Sequence, residues 1–328
     1  MSNENSMMAI RVDDKKGTCW SQGPKPLCAD NEVLVEVHST AVNRADLLQR
    51  DGKYPPPDGA SSILGLEMAG IICYVGKHVK NWQEGDRVLS LLSGGGYAEF
   101  VAVPASHLIS IPKNWDYNYA AAIPEVFLTA YVNLFLEANL QPGETVVIHG
   151  GASGVGTAAI QLAVHSKCRV IATAGSPKKI SHCKKLGAEY GINYKTDDFS
   201  EIVTKKFGGA DVILDISGAD YLKNNVDILN TKGRLIFLAI LSGSRAELDI
   251  SQVLSKRLHL IGSTLRSRSD QEKTSIIDTF KNRFWPDFLE KKIKPIIDTI
   301  YPIQEIDKAH ERLRTNSTIG KIVVEIRR

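Results

Sequence analysis

The sequence predicts an α/β protein of two domains, a doubly wound parallel sheet in the middle of the chain and a smaller barrel-like, all-β unit built largely from its first third. Three observations carry that expectation. At 328 residues the chain exceeds the roughly 100 to 200 that one core usually organises. From Thr145 onward, short apolar runs alternate with segments of helical spacing, the rhythm of strands covered on both faces. Before Ala120, short strand-like runs are instead separated by glycine and proline.

Residues 1–6 are polar, lack the blocks of a secretory signal and read as a loose tail, with Met7 or Met8 as an alternative start. Residues 9–12 and 32–38 read as strands joined through Gly17, Gly23, Pro24 and Pro26. Residues 43–50 have helical character, and Tyr54-Pro55-Pro56-Pro57 follows as a stiff segment suited to walling a cleft. Residues 71–76, 86–91 and 97–103 continue the short-strand pattern, with a flexible turn at 94–96. Near Ala120 the composition shifts to Ala121, Ala122, Phe127, Leu128, Ala130 and Leu134, a helical spacing that Pro142 and Gly143 end. The crossover between domains falls there. The barrel-like domain is expected at 1–124 and 268–328, and the parallel-sheet domain at 125–267.

The middle of the chain is organised around one stretch. Val146, Val147 and Ile148 lead through His149 into Gly150-Gly151-Ala152-Ser153-Gly154-Val155-Gly156, and residues 157–164 read as helix. A buried strand that ends in a glycine turn and re-emerges as a helix points unpaired N–H groups, with positive dipole behind them, at one place; a pyrophosphate suits it. A Cβ at the closest approach would hold the phosphate off, so Gly154 and Gly156 matter most, with Val155 between them. The order Gly151-x-x-Gly154-x-Gly156 departs from a strict G-x-G-x-x-G, and an ordinary strand-to-helix turn is the plainer reading.

A site for NAD usually carries an acidic residue about 20 positions beyond the glycines. Here that neighbourhood is Thr173-Ala174-Gly175-Ser176-Pro177-Lys178-Lys179, without a carboxylate. Its hydroxyls and lysines favour a 2′-phosphate and therefore NADPH, unless both lysines are simply solvated. Further strands are expected at 169–174, 211–216, 234–239 and 258–261, with Ser176 and Pro177 opening a helix that ends at Gly187. An amphipathic helix and a strand at 321–326 close the chain and return to the first domain.

Charge excludes some partners. Forty basic residues against 37 acidic ones leave a net charge of +3 and no basic stripe, so neither nucleic acid nor a membrane surface is expected. The five cysteines show no C-x-x-C spacing, which fits the reducing cytoplasm, and no apolar run is read as approaching the length of a bilayer span. His149 reads as a loop residue and His38 as a structural strand residue.

Several motifs together carry a resemblance: Asn43-Arg44-Ala45-Asp46-Leu47, Tyr54-Pro55-Pro56-Pro57, Ile123-Pro124-Glu125, Leu128-Thr129-Ala130, the glycine turn, Asn193-Tyr194-Lys195, Leu265-Arg266-Ser267-Arg268 and Ile319-Gly320-Lys321-Ile322-Val323. From about Met8 to its end the chain resembles the quinone oxidoreductase branch of the medium-chain dehydrogenase/reductase superfamily. The resemblance implies a GroES-like β-barrel catalytic domain made from both chain ends, a Rossmann nucleotide domain and a homodimer paired edge to edge through the nucleotide domains. It places the adenosine phosphate near Gly175, Ser176, Lys179 and Tyr194. The nicotinamide end falls near Asn43, Tyr54, Thr129, Ser153 and the backbone of Ala239, Ile240 and Leu241.

Where zinc-dependent relatives place a ligand cysteine and a ligand histidine, this chain has Asn43 and Leu66, and their structural-zinc lobe is missing. Zinc is therefore not expected. Without that Lewis acid, NADPH-dependent reduction of quinones or other conjugated carbonyls fits best, with Tyr54 as donor or positioning group and Asn43 and Ser153 orienting the nicotinamide or substrate. The plainer roles are packing for Tyr54, a helix cap for Asn43, turn-filling for Ser153 and an ion pair for Glu67. An alkenal or enone reductase and a non-catalytic NADPH-binding protein are the competing functions.

Overall fold

The computed structural model describes residues 5–13 and 17–327. The chain divides into two units: one comprises the described residues up to Val126 together with those from Arg266 on, the other Phe127–Leu265.

The first unit opens with a hairpin, β1 (Ser6–Val12) against β2 (Thr18–Pro24). Ser6, expected in a loose tail, thus already pairs, opposite Pro24; residues 1–4 lie outside the described part. There follow β3 (Glu32–Val42), α1 (Arg44–Arg50), β4 (Glu67–Val75), β5 (Arg87–Leu91), β6 (Phe100–Pro104), β7 (Leu108–Ser110), α2 (Tyr117–Ala121) and α3 (Pro124–Tyr131), within which the unit boundary falls. β3 is the spine. Its alternation puts Val33, Val35 and Val37 on one fully buried face, each contributing about 1.5–3 kcal/mol.

The second unit runs β8 (Thr145–Ile148), α4 (Gly154–His165), β9 (Arg169–Ala174), α5 (Pro177–Lys185), β10 (Tyr190–Asn193), α6 (Phe199–Phe207), β11 (Ala210–Asp215), α7 (Leu222–Ile228), β12 (Leu229–Phe237), α8 (Ile250–Lys256) and β13 (His259–Gly262). All six strands are parallel, in the order β10-β9-β8-β11-β12-β13. This is the order of dinucleotide-binding sheets, and the strand direction of build-up reverses between β8 and β11, the point at whose carboxyl ends such sheets as a rule place their ligand. β12 stops at Phe237, so Ala239 lies in the loop beyond it rather than in the strand expected at 234–239.

The chain then returns to the first unit through α9 (Asp270–Leu289), β14 (Ile297–Pro302), α10 (Ile306–Arg314) and β15 (Lys321–Glu325). β15 lies antiparallel to β3, Ile322 opposite Val42 and Glu325 opposite Ser39, so the main sheet reads β14-β15-β3-β4-β5-β7 with β6 also on β3. This register has one chemical consequence: Lys321 arrives beside Asn43.

One expectation needs correction. Residues 117–137 are long and apolar enough to span a bilayer, contrary to the sequence reading, but 83% of the most apolar window within them is buried inside the fold, as in a core helix. His149 occupies the expected turn and is buried there, Nε2 2.8 Å from Asn225 Oδ1 and Nδ1 3.1 Å from Thr173 Oγ1, and burial pushes it down to about 4. His38 is on β3, stacked on Tyr117 at 4.3 Å.

Candidate active site and nucleotide cradle

In the first unit a buried polar knot forms where β3 gives way to α1. Asn43 holds the N-cap position, but its side chain does not cap; its N–H donates to Asp46 Oδ2 at 2.7 Å. The Asn43 amide is held at both ends, with Nδ2 donating to Glu67 Oε1 at 2.8 Å and Oδ1 accepting from Lys321 Nζ at 2.6 Å. Lys321 spends its other two protons on Val42 O (3.0 Å) and Glu67 Oε1 (2.7 Å), so all three ammonium donors are satisfied in a site where Lys321 is 3% and Glu67 0% exposed. Glu67 is indeed an ion-pair partner. Its Oε2 accepts the N–H of Glu125 at 2.9 Å, tying the start of α3 to β4.

Two further carboxyls are perturbed here. Asp46 accepts from Gly65 N–H (3.0 Å) and Tyr97 Oη (3.1 Å), yet burial lifts it to about 6. Burial first, and then the nearby Glu67 charge, lift Glu125 to about 8, so it carries its proton at neutral pH. Tyr54 is half-buried, with the Arg266 guanidinium carbon 5.3 Å from its ring centroid; burial raises its phenol. Arg266 donates from Nε to Ser93 O (2.9 Å) and from Nη2 to Gln49 Oε1 (2.7 Å).

Sequence reasoning missed Lys321, Glu125 and Arg266 as site residues. Each sits inside a motif noticed only for its likeness. The available signal was an ionisable residue at the mouth of an apolar run, as in Lys321-Ile322-Val323-Val324.

In the second unit, β8 passes through the turn 149–153 into α4. Ser153 caps that helix, Oγ accepting from Gly156 N–H at 3.0 Å, and leaves the N–H groups of Gly154 and Val155 without intrahelical acceptors. A Cβ at Gly156 would meet Gly150 O at 2.3 Å, so the turn's own backbone already forbids a side chain there.

At the end of β9, Ser176 caps α5, accepting from Lys179 N–H at 3.4 Å. Tyr194, exposed just past β10, closes over Gly175, whose Cβ would come 2.5 Å from the phenol oxygen. Across the reversal point, Asp215 ends β11; it accepts from Ser217 N–H (2.7 Å) and Gly218 N–H (3.1 Å), and burial raises it to about 6. The loop after β12 is clipped to the loop after β11 by Leu241 N–H to Ile216 O (3.2 Å) and Ser242 N–H to Ser217 O (2.8 Å), while the side chains of Ile240 and Leu241 stay exposed. Thr129 is buried on α3, its carbonyl accepting from Asn133 Nδ2 at 2.7 Å where the helix widens into a π-turn over Val132–Glu137.

These features define a class, the α/β oxidoreductases that pair a GroES-like barrel with a Rossmann sheet. Residues 29–113 match the family described as alcohol dehydrogenase GroES-like domain, and residues 154–282 match the zinc-binding dehydrogenase family. Quinone oxidoreductase from Sus scrofa is 30% identical over 305 residues, covering 91% of this chain and 90% of that protein. Among solved structures, mycobacterial Rv1454c complexed with NADPH superposes with a TM-score of 0.87 at 27% identity, covering 97% of this chain and 99% of that one. CurK enoyl reductase gives 0.86 at 28% identity over 98% and 99%. The chain belongs to the quinone oxidoreductases of the medium-chain dehydrogenase/reductase superfamily.

Proposed function

We propose that the protein reduces quinones with NADPH and without zinc. The observation that carries the cofactor is the turn after β9, where the capped start of α5 offers N–H groups, the Ser176 hydroxyl and Lys179, with no carboxylate to repel a 2′-phosphate. Gly154, Val155 and Gly156 suit the pyrophosphate, and Gly175, Ser176, Lys179 and Tyr194 the adenosine phosphate. Thr129, Ser153 and the backbone of Ala239, Ile240 and Leu241 are assigned to the nicotinamide end. When bound, that ring supplies the reducing equivalents.

The residues of the chain do the rest. Tyr54 hydrogen-bonds the acceptor oxygen as charge develops on it, and the neighbouring Arg266 cation favours that charge. Asn43, its amide fixed by Lys321 and Glu67, offers a rigid edge for positioning. Catalytic zinc does not fit these groups, since an ammonium already takes Asn43 Oδ1 and Glu67 Oε1, and Leu66 is a buried hydrocarbon.

A homodimer formed through the nucleotide unit is part of the proposal; support comes from β13, a sheet-edge strand, and from Ile250 and Leu254, both well exposed on the preceding helix. Light scattering on the purified chain tests it. A cytoplasmic, membrane-free protein fits five cysteines that form no disulfide. The likeness to CurK enoyl reductase favours a second reading, reduction of an activated carbon–carbon double bond. Titration of NADPH against NADH by nicotinamide fluorescence, followed by turnover of an ortho-quinone against an α,β-unsaturated aldehyde, separates them: aldehyde turnover alone defeats the quinone reading.

A further inference from the structure

The first unit contains a cavity of about 1200 Å³ whose lining includes Ser93, Gly94, His107, Arg266, Arg268 and Lys273. Two of these cations are buried, Arg266 at 6% and Lys273 at 5% exposure. Neither has a carboxylate partner among the described residues. Lys273 Nζ donates to Ser93 Oγ at 2.8 Å, and Arg266 Nε donates to the Ser93 carbonyl at 2.9 Å, so both charges converge on one serine. The third guanidinium nitrogen, Arg266 Nη1, is closed from solvent and meets no acceptor at all.

Asp270, Glu125 and Glu272 act on Lys273, and Asp46 and Glu125 on Arg266, but only through space. Asp270 is largely exposed, Glu125 holds its proton up to about 8, Glu272 is taken up by the Ser269 cap, and Asp46 by Asn43 N–H, Gly65 N–H and Tyr97 Oη, so none pairs with either cation. His107, whose Nε2 lies 3.1 Å from the Asp270 carbonyl and whose pKa burial lowers, carries no negative charge in either protonation state. Buried cations without countercharge are strongly disfavoured, and a chain that retains two beside a cavity has left the countercharge to whatever enters.

We propose that Arg266 and Lys273 form an anion subsite that receives the acidic substituent, a carboxylate or sulfonate, of the electron acceptor. The substrate assignment rests on the quinone-reductase reading; the anion subsite does not. Arg266 lies against both the cavity and the Tyr54 ring, so an acceptor anchored by its acid carries its ring system toward Tyr54.

The test uses the full chain. Isothermal titration compares 2-naphthalenesulfonate, which cannot be reduced, with uncharged 2-naphthalenemethanol. The sulfonate should bind the wild type at least about tenfold tighter, and Lys273→Met and Arg266→Gln should each remove that preference. With NADPH present, 1,2-naphthoquinone-4-sulfonate should show a KM about tenfold below that of 1,2-naphthoquinone, and Lys273→Met should raise only the former. Equal wild-type affinity for the sulfonate and the alcohol overturns the subsite even if a variant does not fold. So does unchanged sulfonate binding in both variants. Sulfonate binding that the variants abolish, in a protein that reduces no quinone, upholds the subsite and defeats the reductase reading.

Discussion

Replacing Lys321 by methionine keeps the length of the side chain and removes its charge. The ammonium supplies three hydrogen bonds, to Val42 O, Asn43 Oδ1 and Glu67 Oε1, and it is the only cation paired with Glu67 among the described residues. Glu67 is fully buried and borders Glu125, so its charge would be stranded. Breaking one side of a buried pair costs about 3–5 kcal/mol, which in a unit of this size lowers the melting temperature by about 10 °C. All four tryptophans, Trp20, Trp82, Trp115 and Trp285, lie in the first unit, so their fluorescence follows that unit alone. Glu67→Gln should be similarly damaging because it leaves the ammonium unpaired. The double variant should lose far less than the sum, since neither partner of the pair is then left charged and unpaired. A Lys321→Met protein melting within about 2 °C of wild type, or a strictly additive double variant, would refute the reasoning.

Three further outcomes are expected. Glu125 keeps its proton up to about 8, so its contribution to stability is complete below its ordinary value of 4.5 and is lost as pH rises through 8. Glu125→Gln should therefore raise the tryptophan-monitored melting temperature at about pH 9 but not at about pH 4, and flatten any fall in kcat above pH 8. Ser176→Asp preserves a good helix cap but sets a carboxylate where the 2′-phosphate is proposed, so NADPH should bind at least about tenfold more weakly while NADH does not; unchanged NADPH affinity on fluorescence titration would move the phosphate elsewhere. Gly156→Ala drives a Cβ to 2.3 Å from Gly150 O and should destabilise the second unit by about 1–3 kcal/mol, read by loss of far-ultraviolet ellipticity at a lower temperature.

What the sequence revealed depended on the range of the interactions. The parallel sheet and its glycine turn were readable because their signals are local: the apolar run at 146–148, the glycines at 150–156, the Ser176-Pro177 start. β9 begins and ends where expected, at Arg169 and Ala174. Helix α9 was not anticipated. Its 20 residues carry charge on several faces and a proline, Pro286, in the last turn, which mask the apolar stripe of Ile276, Ile277, Phe280, Phe284 and Phe288. β2 and β14 show only partial burial along their lengths, so their alternation is weak. The return of the last segment to the first unit was legible from the order of elements, but its register was not.

That register decides the chemistry. Lys321 and Asn43 are 278 residues apart and meet because β15 pairs with the end of β3. Nothing in either neighbourhood announces the other; an asparagine before a helix reads as a cap, and a lysine before an apolar strand reads as a solvated end. An ammonium has three donors and no vacant position, so at this point the chain can pin a carboxylate and an amide but cannot take a substrate oxygen as a ligand. On the proposed function, activation of an acceptor by the first unit falls to groups beside the knot: the Tyr54 phenol, the Arg266 charge and the Glu125 proton. These act by hydrogen bonding and field rather than by coordination, and they suit acceptors that are already electron-poor.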